Sequence, residues 1–308
     1  MEDLERAENR LTNIRTVEPI LSALRTISLG SWQAVLKRKD GVRHYEERLV
    51  ATLPALLPHL PTDRRTARPP LSSPPMGGKE GGTRIAALVV GSERGLCGRF
   101  NAAVVERAER YLAEQETAGA QVELLALGAR TTRILRRREW SLAWSATLSV
   151  TALPSYRLAF DLTHRWLARY EERELDAVDL IYNAYHGTAR YEPTVVRMIP
   201  PTLPTSGPLD GRRSLSEPWP PPIIETDPLS LYARVIEQWT AVSLYRRLLD
   251  SAAAEHSMRY QLMEAATQNA ERLISELTLA VQTARQQAIT QEMAELAAGA
   301  GLIGRQGS

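Results

Sequence analysis

The sequence predicts an α/β protein with long helices, in which an antiparallel coiled coil of the N- and C-terminal helices carries an inserted Rossmann-like α/β domain. Three observations predict this fold. Residues 229–298 contain neither glycine nor proline, residues 1–60 carry apolar side chains at close to helical spacing, and short apolar runs alternate with amphipathic segments from residue 84 to residue 200. Strands that alternate with helices are typical of a parallel or mixed sheet.

The C-terminal segment, residues 227–303, is predicted to form one helix. Asp227 fits the N-cap and Pro228 the first helical position. An apolar stripe follows in alternating steps of three and four, the 3.5-residue period of a left-handed coiled coil. Its clearest part comprises Met263, Ala266, Ala270, Leu273, Leu277, Ala280 and Ala284. A helix that would extend roughly 100 Å at 1.5 Å per residue needs a partner to cover this stripe.

The partner is predicted to be a second long helix over residues 1–60. Pro19 lacks a backbone donor and is expected to kink or delay it, and Gly30 with Ser31 weakens its middle. The apolar positions at or near helical spacing are Leu11, Ile14, Val17, Leu21, Leu24, Ile27, Trp32, Val35, Val42, Tyr45, Leu49 and Leu53. Residues 61–83 are expected to be a Pro/Gly-rich linker and residues 201–226 a Pro-rich connection, and residues 304–308 are left as a tail.

The α/β domain is placed at residues 84–200. Its strands are expected at 85–90, 122–127, 177–184 and 191–199, and its helices at 101–115, 131–138 and 155–172. Residues 92–98 connect the first strand to the first helix, and we expect a tight turn there that requires Gly95 and Gly98. A phosphate-binding loop is disfavoured, because the segment lacks both the Walker A ending and the Gly-x-Gly-x-x-Gly spacing.

Composition excludes several classes of protein. A net charge of +2 is too small to indicate a nucleic-acid-binding surface, and the arginines at residues 136–138 are expected to form a solvated face. The sequence contains no run of about 18 apolar residues, so no membrane span is predicted. The first residues do not resemble an export signal. Cys97 is the only cysteine, which excludes an intramolecular disulfide and a multi-cysteine metal site. We expect no metal or other cofactor.

Three segments resemble the γ subunit of F-type ATP synthases. They are SERGLCGRFN at residues 92–101, the block at residues 254–303, and more weakly residues 14–25. The chain departs from the family pattern at several positions: Glu93 replaces an aspartate, Arg99 a glycine and Ser31 a lysine, and Val281, Gln282 and Thr283 replace Tyr-Asn-Lys. The order and extent of the matches identify a divergent member of the family.

The resemblance implies a non-catalytic rotor shaft that couples transmembrane ion flow to ATP synthesis or hydrolysis. Such a shaft turns inside a catalytic head of α and β subunits, while the α/β domain sits on the membrane c-ring beside an ε-type accessory subunit. The chain would then be peripheral, at the cytoplasmic face of the cell inner membrane. The coupling ion and the direction of the reaction depend on other subunits.

The resemblance also suggests which residues contact the head. These subunit-contact candidates are Leu24, Arg25, Ile27, Arg259, Arg285, Gln286, Thr290, Gln291 and Glu292. Arg259 falls on the apolar stripe, where a cation needs a partner. It is either a contact residue or an interior arginine whose charged end reaches water.

Two other classes of protein compete with the rotor. A free-standing coiled-coil adaptor would explain the helices but not the block at residues 254–303. A nucleotide-dependent α/β enzyme with a helical dimerisation arm would explain the sheet, but it predicts acid, base or phosphate-binding groups that the sequence does not offer.

Overall fold

The computed structural model of the chain describes residues 2–56, 59, 82–201 and 223–299. In chain order, its elements are α1 (Glu2–Leu56), β1 (Arg84–Val90), α2 (Phe100–Thr117), β2 (Gln121–Leu127), α3 (Ala129–Arg137), β3 (Trp144–Ala146), α4 (Tyr156–Glu171), β4 (Ala177–Tyr185), β5 (Tyr191–Ile199) and α5 (Pro228–Gly299). Most of the expected linker, the connection and the tail lie outside the described residues. The chain divides into two compact units: a helical unit, residues 1–29 with 259–308, and a mixed unit, residues 30–258.

In the helical unit, the first part of α1 and the last part of α5 pack antiparallel. Three contacts connect them in order: Glu8 with Arg285 at 2.6 Å, Arg15 with Thr278 at 3.3 Å, and Arg25 with Glu264 at 3.1 Å. Residue numbers rise along α1 as they fall along α5, as an antiparallel pair requires. The predicted antiparallel pairing of the two chain ends is confirmed.

The covered face of α1 follows a heptad pattern along its whole length. Successive positions, alternately three and four apart, are all buried or half-buried: Leu4, Ala7, Leu11, Ile14, Glu18, Leu21, Arg25, Ser28, Trp32, Val35, Lys39, Val42, Glu46, Leu49, Leu53 and Leu56. Charged or polar residues occupy several of these positions, while Val17 and Ile27 are exposed. The predicted apolar stripe was therefore wrong at Val17, Ile27 and also Tyr45, which is 50% exposed, because Glu18, Ser28 and Glu46 hold the covered positions beside them.

The covered face of α5 in the helical unit also differs from the predicted stripe. Met263, Ala270, Leu277 and Ala284 are buried or half-buried, as predicted, but Ala280 is exposed and its neighbour Val281 is buried. Thr267 is buried as well, whereas Ala266 is only half-buried. The packed row therefore includes the larger β-branched side chains, which cover more area than alanine and suit alternate positions of a coiled coil.

Helix α1 continues through both positions that were expected to weaken it. Pro19 is exposed, so it removes a hydrogen bond on the solvent side of the helix. No heavy atom lies within 4 Å of a Cβ built at Gly30, so the glycine leaves no packing defect. The expected delay at Pro19 does not occur.

Helix α5 begins where the sequence predicts. The Asp227 carboxylate accepts hydrogen bonds from the backbone N–H of Ser230 at 2.8 Å and from its hydroxyl at 2.6 Å. These bonds lower the pKa of the Asp227 carboxyl. Asp227 is therefore the N-cap, and Pro228 is the first helical residue.

The mixed unit is built on a sheet with the strand order β3-β2-β1-β4-β5. The pairs β3·β2, β2·β1 and β1·β4 are parallel, and β4·β5 is antiparallel. Strand β3 was not predicted: it has three residues, too few for an alternating pattern, and it forms by pairing with β2. The other strands and the three intervening helices lie where the sequence placed them, with ends that differ by a few residues.

Both faces of this sheet are covered by helices. On one face, Val104, Val105 and Ala108 of α2 pack against β1 and β2. On the other face, α4 and the parts of α1 and α5 in the mixed unit contribute residues such as Trp166, Val35 and Leu248. Burial on both faces explains why β1 reads as a continuous apolar run.

Candidate subunit-contact surfaces

The turn after β1 is packed against side chains of α2 and α3. The Asn101 Oδ1 atom accepts hydrogen bonds from the Ser92 N–H at 2.9 Å and from the Thr131 hydroxyl at 2.9 Å, and the Asn101 amide donates to Ser92 Oγ at 2.8 Å. A Cβ atom at Gly91 would lie 1.6 Å from Thr131 Oγ1. The backbone in this turn is therefore packed against protein, which fits a structural turn and leaves no cradle for a phosphate.

The two predicted turn glycines differ in their backbone conformation. Gly98 has a φ of 59°, in the left-handed region that favours glycine. Gly95 does not adopt that region, and an added Cβ there would meet no neighbouring atom. Leu96 has a φ of 62° instead. The need for glycine predicted at Gly95 is therefore absent from this geometry.

Glu93 fastens this turn to two other segments. Its carboxylate accepts hydrogen bonds from the N–H of Ala129 at 3.0 Å, at the start of α3, and from the N–H of Leu148 at 2.8 Å. A carboxylate at a helix N-terminus is stabilised by the unpaired N–H groups there. The sequence showed Glu93 only as a departure from a family pattern, and the structure shows why an acidic residue is useful at this position.

A buried polar group lies between α2 and the sheet. Asp179 is 2% exposed, pairs with Arg197 across the β4·β5 ladder, and accepts a hydrogen bond from the Tyr111 hydroxyl. Burial, and secondarily this bond to Asp179, raise the pKa of Tyr111 far above its usual range. The phenol therefore stays a neutral donor and the carboxylate stays paired, an arrangement that stabilises the fold and offers no general base.

The predicted contact residues on α1 occupy different environments. Arg25 is half-buried and forms the ion pair with Glu264, and Leu24 beside it is half-buried. Ile27 is 64% exposed. Arg25 therefore holds the two helices of the helical unit together, while Ile27 faces solvent.

The predicted contact residues on α5 divide in the same way. Arg259 is buried, with 8% exposure. Arg285 is exposed and pairs with Glu8. The remaining side chains are exposed and form no hydrogen bond or ion pair with α1 among the described residues: Gln286, Thr290, Gln291 and Glu292. These four are available to a partner.

An exposed apolar face accompanies those polar residues. Ile289, Met293 and Leu296 are 54%, 67% and 73% exposed and lie at positions i, i+4 and i+7, which is one side of a helix. The sequence analysis missed this face because it considered only the stripe that pairs with α1. The signal that could have revealed it is three large apolar side chains on one side of the helix and outside that stripe, since exposed apolar patches mark interaction sites.

In the mixed unit, one carboxylate joins both long helices to the sheet. Asp250 of α5 accepts hydrogen bonds from the Lys39 ammonium of α1 and from the Tyr185 N–H at the end of β4, the latter at 3.1 Å. The Lys39 ammonium also lies 5.3 Å from the centre of the Tyr185 ring, a cation–π distance. One turn before Asp250 on α5, Arg246 pairs with Glu46 at 2.6 Å.

A groove of about 790 Å³ runs between α1, α4 and α5 in the mixed unit. Tyr45, Tyr156 and Tyr245 line it together with Lys37 and Arg38. The Tyr156 hydroxyl donates to Gln238 at 3.0 Å, and burial raises the pKa of Tyr156. This lining has no acid–base pair and no nucleophile with a base, so it does not form a catalytic site.

Within the described ranges, no three or more His, Cys, Asp and Glu side chains come together in a way that could hold a metal ion. Among the same residues, no helix combines the length and the apolar character that a membrane crossing needs. Long antiparallel helices, an α/β sheet and an exposed apolar helix face are features typical of a protein that works in contact with other chains.

Comparison with known proteins gives the family. A profile of the ATP synthase family matches residues 3–301. An ATP synthase gamma chain of Rubrobacter xylanophilus is 31% identical over 97% of this chain and 98% of its own length, and that of Granulibacter bethesdensis is 30% identical over 97% and 99%. The chain therefore belongs to the ATP synthase gamma chain family, which confirms the resemblance found in the sequence.

Solved structures share the fold. The chain matches one in a Euglena gracilis mitochondrial ATP synthase with a TM-score of 0.61 and 13% identity, over 100% of this chain and 97% of the other. A chain in the central stalk and c-ring structure of the Tetrahymena thermophila enzyme gives 0.53 and 17%, over 80% and 99%. By its family, the protein is the non-catalytic central-stalk subunit of a membrane-associated ATP synthase, so the adaptor and enzyme alternatives are wrong.

Proposed function

We propose that the helical unit is the part of the rotor that turns inside the catalytic head of α and β subunits, and that the mixed unit contacts the membrane c-ring and an ε-type accessory subunit. The observation that carries the first half is the exposed apolar face of Ile289, Met293 and Leu296. Fully burying such side chains is worth roughly 1.5–3 kcal/mol each. Two helices alone cannot cover side chains that point away from both, so a partner surface is expected there.

An apolar face suits a surface that must turn. Hydrophobic contact is non-directional, so its energy changes little as one smooth surface rotates against another. Hydrogen bonds to charged groups are directional, and they are stronger than hydrogen bonds between neutral groups. We therefore assign the bearing to the apolar face, and the angle-dependent contacts to the exposed polar residues Arg285, Gln286, Thr290, Gln291 and Glu292.

The α1 candidates fit the same division. Ile27 is exposed with Val17 and Ile20 on α1, and we assign these side chains to contact with the head, with Leu24 beside them. Arg25 and Arg259 are assigned a different role: each is at least half-covered within the helical unit, so their contribution is to fix the helix pair that presents the contact residues.

The proposed location is the cytoplasmic face of the cell inner membrane, where the protein is held by its partners. In this proposal the chain works as six segments: a shaft helix at residues 1–60, a linker at 61–83, the α/β domain at 84–200, a connection at 201–226, a second shaft helix at 227–303 and a tail at 304–308. The chain binds no cofactor in this role, and it couples ion flow to ATP chemistry by rotation alone.

Co-expression tests the proposal. Tagged protein is expressed with the ATP synthase α and β subunits of the same organism, and co-purification and ATP-driven ion pumping are measured. We expect the wild type to bring down both subunits, and Ile289→Asp with Met293→Asp to lower pumping at least about tenfold, because two buried carboxylates in an apolar bearing are costly. The matched control, Thr283→Asp with Gln287→Asp on exposed positions of the same helix, should retain pumping. Failure of the wild type to bring down either subunit would refute the proposal.

A further inference from the structure

A basic cleft lies on the mixed unit between α3 and the edge strand β3. It has a volume of about 470 Å³ and is lined by Arg133, Arg136 and Arg137 together with the hydroxyl residues Thr132, Ser145 and Thr147. We call these six residues the arginine cleft. From the sequence, Arg136 and Arg137 were expected to form a solvated face together with Arg138.

The cations of the arginine cleft lack carboxylate partners. Arg138, the next residue along the chain, pairs with Glu109, but no described carboxylate forms an ion pair with Arg133, Arg136 or Arg137. Helix α3 itself contains no acidic residue. Elsewhere in this unit, Arg107, Arg157, Arg169 and Arg197 each have an acidic partner. Arg110 and Arg165 form no ion pair with a described carboxylate either, but they lie apart from one another on α2 and α4. The cleft therefore concentrates uncompensated positive charge.

The hydroxyl groups add hydrogen-bonding capacity on the floor and rim. The Arg136 guanidinium donates to Ser145 Oγ at 3.3 Å, which directs it across the cleft towards β3. Thr147 is exposed just beyond the end of β3, and the outer side of β3 has no neighbouring strand because it ends the sheet. A partner could therefore meet guanidinium forks and hydroxyls along one continuous surface.

The exposure of the three arginines indicates what kind of anion fits. All three are exposed, so the cleft is shallow and a small free ion would stay largely hydrated in it. A chain segment with several carboxylates can instead engage all three guanidiniums at once, and guanidinium forks match carboxylates in a bidentate geometry. Several simultaneous pairs compensate for the weakness of each exposed pair.

We infer that the arginine cleft docks an acidic segment of another subunit of the ATP synthase, one with several Asp or Glu residues close together. The inference rests on the proposed assembly of the chain with other subunits. The arginine cleft and the apolar face of α5 consist of different residues. This contact therefore attaches another subunit to the mixed unit and is not part of the proposed bearing. A surface of this kind adds specificity and speeds association more than it adds affinity.

Two simpler roles for the same arginines make different predictions. Arg136 and Arg137 lie in the last turn of α3, where cations stabilise the helix dipole. Charged side chains beside an edge strand also prevent edge-to-edge aggregation. Neither role requires an acidic partner, so identifying what lies over the cleft separates them from docking.

Site-specific crosslinking in the assembled complex identifies that neighbour. Thr147→Cys, labelled with benzophenone maleimide, places the probe in the cleft, because Cys97 is the only other cysteine and is buried. Thr117→Cys, exposed at the end of α2, is the matched control. We expect the Thr147 probe to crosslink to a peptide of another subunit that contains at least three Asp or Glu within about seven residues. Crosslinks only to non-acidic peptides, to lipid, or to no subunit overturn the inference.

Charge variants measure the contribution of the arginines. With the Thr147 probe in place, Arg133→Glu, Arg136→Glu and Arg137→Glu together should lower the crosslink yield at least about fivefold, whereas three lysines at these positions should retain most of it. Arg110→Glu, Arg157→Glu and Arg165→Glu make the same change of charge on other helices and should leave the yield unchanged. Equal loss in both glutamate sets overturns the inference. If the wild type still brings down the α and β subunits, the proposed function stands regardless.

Discussion

Replacing Asp250 tests whether one carboxylate joins the long helices to the sheet of the mixed unit. Asp250→Ala removes two contacts: the ion pair with Lys39 and the acceptor for the Tyr185 N–H. The Lys39 side chain is 25% exposed and the Asp250 side chain 14%. A buried donor left without an acceptor costs roughly 1–3 kcal/mol, and a hydrogen bond to a charged group contributes about 1.5–3 kcal/mol. Partial exposure lets water replace part of both, so the expected loss is about 2–4 kcal/mol.

Asp250→Asn is the matched variant, because its amide oxygen can still accept from Tyr185 while the negative charge is gone. Its expected cost is only about 1 kcal/mol. The difference of about 2 kcal/mol corresponds to roughly 4–8 °C in melting temperature for a unit of this size. A thermal melt of the full chain followed by circular dichroism measures both variants.

A double-mutant cycle completes this test. Combining Asp250→Asn with Lys39→Met should show a coupling energy of about 1 kcal/mol, because each single change already removes the same ion pair. If the alanine and asparagine variants melt together, the bond to Tyr185 contributes nothing. Strict additivity in the cycle would refute the ion-pair part of the reasoning.

The remaining predictions concern packing, surface contact and pH. Leu248→Ala, at a buried position, should cost about 2–5 kcal/mol in urea unfolding, whereas Leu279→Ala, at a 66% exposed one, should cost less than about 0.5 kcal/mol. Arg285→Ala should leave the melting temperature unchanged, because its ion pair with Glu8 is exposed, but should lower ATP-driven pumping; a Gln282→Ala control that lowers it equally would remove the special role of Arg285. Because the pKa of Tyr111 is raised in the fold, the stability it contributes is complete below pH 10 and decreases as the pH rises above 10, where only the unfolded state ionises. Tyr111→Phe should make that decrease shallower in unfolding experiments from pH 8 to pH 11, and an unchanged slope would contradict the assignment.

Much of the architecture could be predicted because the signals that specify it, capping residues and apolar periodicity, lie within single segments of the chain. The start of α5 at Asp227 and Pro228 follows from capping chemistry, and the parallel strands follow from apolar runs that must be buried on both faces. Strand β3 could not be predicted in this way, since three residues carry no periodicity and pairing with β2 decides their conformation.

The packed row of each long helix was harder to predict than the helices themselves. On α1, Glu18, Arg25, Lys39 and Glu46 occupy covered positions, and a search for apolar residues passes over them. Their placement becomes clear only when the partners on the other helix are known, as with Glu264 for Arg25. The contact candidates share this difficulty, because a charged side chain that holds two helices together and one that meets another subunit look alike in a sequence.

The paired charges along α1 and α5 fix the alignment of the two helices in the mixed unit. If α5 slid by one heptad, Glu46 would leave Arg246 and face the neighbourhood of Ala253 or Trp239, and a covered carboxylate would lose its counter-charge. Sliding is therefore opposed at each such pair, and we expect a small change of winding to preserve the pairs. A load applied to this helix pair is accordingly expected to be stored as elastic twist and returned when the load is released, without slippage between the helices.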